Sequence, residues 1–339
     1  MDANGRRRGW VDRRRMLAMI GVAGVAGVTP SLIGAARPTS PEPLWATPPG
    51  GGGPSGPVAI DLQGAVSNIA MPTIEAVLPD RPNGAAMLIA GGGGYRRIGE
   101  EAEARPAARW LAARGITAFI LRYRLPDEGW HDGPLAPLQD AGRAMRMIRA
   151  RAGLLGIDPS RVGVLGFSAG GHLLGLAAAR SAFASYPTTD AIDRQSSRPD
   201  LSALIYPVIT LEPPYDHTST RRILIGDHPT PAASAQWSVE THVRAGCPPT
   251  FLVQAQDDPI SDPHNTLIMR DACVRAGVPV KLRSLASAAM ASAWGRPGRR
   301  RRSGRPGSSA GCATTASLPR RDSGVNAGGE DRERLPRRN

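Results

Sequence analysis

The stretch Arg161-Val162-Gly163-Val164-Leu165-Gly166-Phe167-Ser168-Ala169-Gly170-Gly171-His172 decides the fold. Its first part is an uninterrupted apolar run, the pattern of a strand buried on both faces. Residues 170–184 then fall into helical phase. Between the two lies Gly166-Phe167-Ser168-Ala169-Gly170, a Gly-x-Ser-x-Gly turn in the strand-to-helix setting that its chemistry requires. The spacing has a steric cause. A serine on so sharp a turn is forced into a strained backbone conformation, and only small neighbours avoid clashing with it. Its hydroxyl then stands above the sheet, over a helix N-terminus. The N–H of Ala169 points to where an attacked acyl carbonyl becomes negative. Ser168 is thus the candidate nucleophile. A phosphate-binding turn built from Gly163, Gly166, Gly170 and Gly171 fails, because dinucleotide spacing is missing and no acidic residue ends the next strand.

Outward from this turn the chain alternates strand and helix. Strands are expected at 85–90, 116–125, 161–167, 201–208, 250–255 and 278–285, with helices at 100–114, 138–154, 170–184 and 265–276. Continuous apolar strands joined by helical crossovers predict a doubly wound, mostly parallel sheet. In such sheets the site lies at the carboxyl ends of the strands. Three segments fall there: 91–95, 166–170 and 256–262. Gly91-Gly92-Gly93-Gly94-Tyr95 lets backbone approach a ligand closely and is expected to supply the second oxyanion N–H. Asp257 and Asp258 follow a strand, and an acid there can orient a histidine; spacing alone does not choose between them. Residues 211–247 are Pro-rich and poorly periodic, and are expected to form a cap or long insertion.

The ends differ from this middle. The net charge of +13 splits into +4 over residues 1–36, +8 over 288–339 and only +1 between them. The basic character therefore belongs to the termini, not to a patch on a fold, and the tail has no aromatic interleaving. Nucleic-acid binding loses its support. Arg13-Arg14-Arg15 precede a Gly-rich apolar run closing at Gly34-Ala35-Ala36, which reads as a twin-arginine-type signal peptide over 1–36 and implies export to the periplasm or outside the cell. Pro30 and the glycines argue against a stable membrane anchor. Residues 37–57 read as a Pro/Gly-rich flexible linker, and 58–287 as the catalytic domain. Cys247, Cys273 and Cys312 fit neither a zinc site nor a disulfide framework; free thiols are expected, with one Cys247–Cys273 bridge as the alternative. No metal and no cofactor is expected.

At this point the sequence resembles the secreted α/β-hydrolase esterases related to acetylxylan esterases. The resemblance covers residues 85–287. It is carried by the glycine run, by Trp110-Leu111-Ala112-Ala113-Arg114-Gly115 and the strand after it, by Gly156-Ile157-Asp158-Pro159, by the Ser168 turn and by residues 248–265. It implies the α/β-hydrolase fold, Ser168 as nucleophile and Asp258 as triad acid. It also implies that Gly92, Gly93 and Ala169 frame the oxyanion hole, and that the substrates are small esters or acetylated plant-wall saccharides.

The same resemblance exposes a gap. The order serine, acid, histidine requires a histidine after Asp258. In the family it stands in a Gly-Gly-His-Gly-Phe segment after the last strand. Here that place reads Ala288-Ala289-Met290-Ala291-Ser292-Ala293-Trp294-Gly295, so the histidine expected near Met290 is missing. His264 is the one histidine past Asp258. It, His131, His172, His217, His228 and His242 read as surface or cap residues. Shifting the reading frame by one base over Ala288 to Gly295 permits Gly-Gly-His-Gly-Phe-Gly-Leu-Gly. Over Ser303 to Ser317 it permits an amphipathic helix. Beyond Ser287 hydrophobic periodicity stops, and a chain of Arg, Gly, Ser and Pro cannot order itself by burial. The expectation is a one-base frameshift near Ser287, an impaired hydrolase lacking its last helix, and a disordered tail at 288–339. A degenerate, non-catalytic carbohydrate-binding protein and a peptidase or lipase on the same fold are the alternatives. The oligomeric state leaves no mark in the sequence.

Overall fold

The computed structural model describes residues 37–286. The expected signal peptide, the tail at 288–339 and the position near Met290 lie outside the described residues. In chain order the strands are β1 (Arg37–Pro38), β2 (Glu42–Pro43), β3 (Ala59–Ile60), β4 (Val66–Ser67), β5 (Thr73–Leu78), β6 (Ala86–Ala90), β7 (Thr117–Arg122), β8 (Val162–Phe167), β9 (Ser202–Ile205), β10 (Thr250–Ala255) and β11 (Val280–Leu285). The helices are α1 (Arg105–Ala112), α2 (Leu135–Ala150), α3 (Ala169–Ala179), α4 (Ser219–Ile225), α5 (Pro231–Trp237) and α6 (His264–Arg275).

The main sheet runs β1-β5-β7-β6-β8-β9-β10-β11, with β2 also on β5. All pairs from β7 to β11 are parallel. β5 is antiparallel to β7, and β1 and β2 are antiparallel to β5. This is the mostly parallel sheet that the alternation predicts, consistent with the α/β-hydrolase fold that the resemblance implies. β6 and β8 are neighbours, so the glycine run after one lies beside the serine turn after the other. β10 follows one strand further along, beyond β9.

One face of the sheet packs against α2, α3 and α6 through Leu138, Met145, Leu173, Leu176 and Met269. The other packs against α1 through Ala107, Ala108 and Leu111. Every residue of β6 and β8 is buried, as two-sided cover requires. A fully buried ion pair, Arg124–Asp140, ties the end of β7 to α2. Among the described residues no helix is long and apolar enough to cross a membrane.

Residues 37–57, read from composition as a flexible linker, are laid onto the domain. β1 and β2 extend the sheet edge, and Leu44 and Trp45 are 1 % and 4 % exposed. The Trp45 indole N–H donates to Asp140 at 2.8 Å. Two large apolar side chains outweigh a Gly/Pro composition, because burying each is worth about 1.5–3 kcal/mol. The fold thus begins before residue 58. The cap region contains α4 and α5, each started by a threonine whose hydroxyl accepts an N–H of the first turn, Thr218 from Arg221 and Thr230 from Ala233.

Candidate active site

Ser168 sits between β8 and α3 with φ 50° and ψ −118°. For a residue bearing a side chain this is a costly conformation, kept only where the surroundings over-determine it. The surroundings do so here. The Ser168 N–H donates to Ile205 at 3.1 Å, and its carbonyl accepts from His172 at 3.0 Å and Val208 at 3.2 Å. The turn also demands its glycines. A Cβ on Gly170 would stand 2.3 Å from the Ala90 carbonyl oxygen.

The glycine run closes against the serine. A Cβ on Gly92 would lie 2.7 Å from the Ser168 Cβ, so the two backbones touch. The structure refines the expected oxyanion frame at Gly92. Its N–H donates to the Glu103 carboxylate (Oε2) at 2.5 Å, so this amide already has a protein acceptor. The N–H groups of Gly93 and Ala169 take no protein acceptor among the described residues. Ala169 opens α3, where N–H groups lack intrahelical partners and the helix dipole favours negative charge.

A layer of buried polar groups sets this loop, and sequence reasoning missed it. Glu103 is 4 % exposed and also accepts the Tyr206 hydroxyl at 3.0 Å. Tyr123 donates its hydroxyl to the Gly91 carbonyl at 2.9 Å. A signal for Glu103 existed: with Ala107 and Leu111 it repeats every four residues, a carboxylate in an apolar stripe.

His172, read as a surface or cap residue, is fully buried. Its Nε2 lies 2.7 Å from the Trp237 carbonyl, which only accepts, so Nε2 carries the proton. Its Nδ1 then accepts the Tyr95 hydroxyl at 3.0 Å. Burial pushes the imidazole down to about 4, against a smaller upward pull from the Trp237 carbonyl. The ring is a neutral strut between the glycine loop, the helix behind Ser168 and the last residue of α5.

Asp258 lies in the turn after β10, half-buried, and one oxygen (Oδ1) accepts N–H bonds from Ile260 at 2.9 Å and Ser261 at 3.0 Å. Asp257 beside it is exposed. Ser261 donates its hydroxyl to Pro207 at 2.8 Å, tying this turn to the segment that bonds the Ser168 carbonyl. His264 is exposed, pairs with Asp262 rather than Asp258, at 2.7 Å, and stacks on Tyr215 with ring centres 4.6 Å apart. The cap holds a cavity of about 410 Å³ lined by Glu212, Asp216, Arg221 and Asp227 among others.

Residues 80–272 match the family model described as BD-FAE. The chain is 32 % identical over 184 residues to an acetylxylan esterase of Xylanibacter ruminicola, covering 53 % of this chain and 35 % of that protein. It is 33 % identical over 193 residues to endo-1,4-beta-xylanase B of Butyrivibrio fibrisolvens, covering 57 % of this chain and 30 % of that one. The chain therefore spans about a third of the length of these relatives. An acetyl ester-xyloside bifunctional hydrolase from Caldicellulosiruptor lactoaceticus superposes with a TM-score of 0.59 at 34 % identity, over 73 % of this chain and 85 % of that one. Thermogutta terrifontis esterase 2, at 24 % identity and a TM-score of 0.51 over 70 % of this chain and 81 % of that one, shares the fold.

Proposed function

We propose, from the premise that this chain belongs to the BD-FAE family and is by family a carboxylic ester hydrolase, that Ser168 is its nucleophile and acetylated plant-wall saccharides are its substrates. The observation that carries the reading is the strained Ser168 backbone, held against a glycine loop and the first amide of α3. Ser168 Oγ attacks the acyl carbonyl, and the carbonyl oxygen takes up negative charge. The N–H groups of Gly93 and Ala169 stabilise that charge, each such donor being worth about 10²–10³ in rate. Gly92 frames the loop through Glu103. Asp258, fixed by two turn amides, has its other oxygen left to orient an imidazole.

The imidazole is where this chain departs from its family. No described histidine pairs with Asp258, and the sequence near Met290 holds none. Without a base, serine is a weak nucleophile at neutral pH. Residual catalysis would then come from the oxyanion donors and binding, roughly 10³–10⁴-fold over water. We therefore read this chain as an impaired esterase, produced by a one-base frameshift near Ser287. The competing reading, a carbohydrate-binding protein without chemistry, draws on the same missing histidine. The polar cap cavity supports a hydroxylated alcohol partner over a lipid, because carboxylates and a guanidinium match sugar hydroxyls. A twin-arginine signal at 1–36 and export remain part of the proposal.

The test is an acetate-release assay on acetylated xylan, with this chain beside a version whose reading frame is restored after Ser287. Rapid release by the restored chain and a slow, Ser168-dependent rate in this one are expected. Binding without release by both would overturn the esterase reading. Sequencing the DNA across codon 287 checks the frameshift itself.

A further inference from the structure

Four described residues other than glycine hold a positive φ: Asn68, Tyr95, Ser168 and Tyr206. Three of them stand just past the carboxyl ends of neighbouring strands, β6, β8 and β9. Tyr95 closes the glycine run and Ser168 is the candidate nucleophile. Tyr206, fully buried with φ 38°, is neither a triad member nor an oxyanion donor. Such strain in a bulky residue persists only where the surroundings over-determine it, and it gathers at active sites. The surroundings of Tyr206 are the site itself. The residues on either side of Tyr206-Pro207 hold both backbone groups of the nucleophile. Ile205 accepts the Ser168 N–H at 3.1 Å, and Val208 donates to the Ser168 carbonyl at 3.2 Å. The Tyr206 N–H donates at 2.7 Å to Val253 of β10, the strand that leads to Asp258. Its ring lies beside Phe167, ring centres 5.9 Å apart. Its hydroxyl donates to Glu103 Oε1 at 3.0 Å, and Glu103 Oε2 accepts the Gly92 N–H. The Gly92 carbonyl in turn accepts the Gly99 N–H at 2.7 Å, so Gly92 is gripped at both backbone groups. The Gly92–Gly93 peptide unit is planar and trans, so its N–H, on Gly93, points opposite to that held carbonyl.

We propose that Tyr206 is a positioning residue for the ester cleavage assigned to Ser168, a reading on which this inference rests. Through Glu103 it holds the glycine loop in place against the nucleophile. One side chain thus joins the loop that carries an oxyanion donor to the segment that fixes the serine backbone. Both of these bonds to Glu103 end on a carboxylate, the stronger and more directional kind. Without the hydroxyl the carboxylate is free to turn, and the Gly92 amide turns with it. The Gly93 donor then meets the developing charge out of place. That loss falls on the transition state and not on substrate binding, so it is read in kcat rather than in KM.

Tyr206→Phe removes the hydroxyl and keeps the ring. In the full chain as it stands, the Gly92 and Gly93 amide resonances are expected to shift in the ¹H–¹⁵N spectrum while those of α2 stay in place. In the frame-restored chain, kcat on p-nitrophenyl acetate is expected to fall about 10-fold, with KM changed less than about twofold. Added to Glu103→Ala, the same substitution should change kcat by less than about twofold, because the two residues act in series. An unchanged kcat with a lowered thermal midpoint would make the hydroxyl purely structural. A raised KM would place it on the substrate, and additive losses would take Glu103 out of the path. Each of these overturns the proposal, as do unmoved glycine resonances. Full activity in a Ser168→Ala chain would instead sink the esterase reading, and the resonances alone would then decide whether the hydroxyl sets the loop.

Discussion

Ser168 and Glu103 show what a single residue contributes. Ser168 is legible in the sequence because its conformation dictates its neighbours: the positions two residues before and after it must be small, and they are Gly166 and Gly170. Replacing it with alanine in the frame-restored chain is expected to lower kcat at least ~10³-fold and to end labelling by a fluorophosphonate. Glu103 dictates nothing to its neighbours in sequence, since its partners, Gly92 and Tyr206, come from other elements. Glu103→Ala would leave a buried N–H unpaired and free the loop. In the restored chain it should reduce kcat by about 10–100-fold with KM little changed, whereas Glu103→Gln keeps an acceptor oxygen and most of the rate. His172 is a different case: it is the one polar side chain on a helix that is otherwise apolar all round, with Leu173, Leu174 and Leu176 beside it, and such a helix is buried on every side. The pH effect of His172 has a definite sign. The folded value of about 4 lies below the ordinary 6.5, so the unfolded chain takes up the proton first as pH falls. Stability from this group is complete above about pH 6.5 and drains away toward pH 4, on the order of 3 kcal/mol in all. Urea unfolding at pH 7 and pH 5 should show the loss, and His172→Gln should remove this share of it.

Among the elements, the parallel strands and their helices follow directly from periodicity, because a two-sided strand and an amphipathic helix leave distinct apolar patterns. β9 ends earlier than its apolar run, since Tyr206 turns the chain with φ 38°. The antiparallel edge was hidden. β1 and β2 are two residues each, and nothing local marks a strand so short. Their anchor is the indole of Trp45, whose value depends on Asp140, distant in the chain. Trp45→Ala should cost about 3–5 kcal/mol in denaturant unfolding, through the cavity and the unpaired carboxylate it leaves. A single methyl at Gly170 meets the Ala90 carbonyl and should keep the serine turn from closing, read as loss of soluble, folded protein.

The molecule as a whole is covered unevenly. Three long helices, α2, α3 and α6, shield one face of the sheet, while α1 shields the other. Beside α1 an apolar cavity of about 200 Å³ opens between Trp110, Leu165, Leu201, Ile205 and Phe251, and Leu201 is 42 % exposed. Such a surface favours a partner helix. The frame-restored chain is expected to melt several degrees higher than this one and to bind less of an apolar dye such as ANS. Equal melting and dye binding would mean that the altered C-terminus never contributed to this face.

The strut at His172 couples the cap to the helix behind the nucleophile. The final carbonyl of α5 holds the buried imidazole N–H, so α5 cannot pull away without stranding that donor, at a cost of about 1–3 kcal/mol. The end of α5 and the start of α3 are therefore expected to loosen together, and hydrogen exchange on the two helices should rise in step when His172 is replaced.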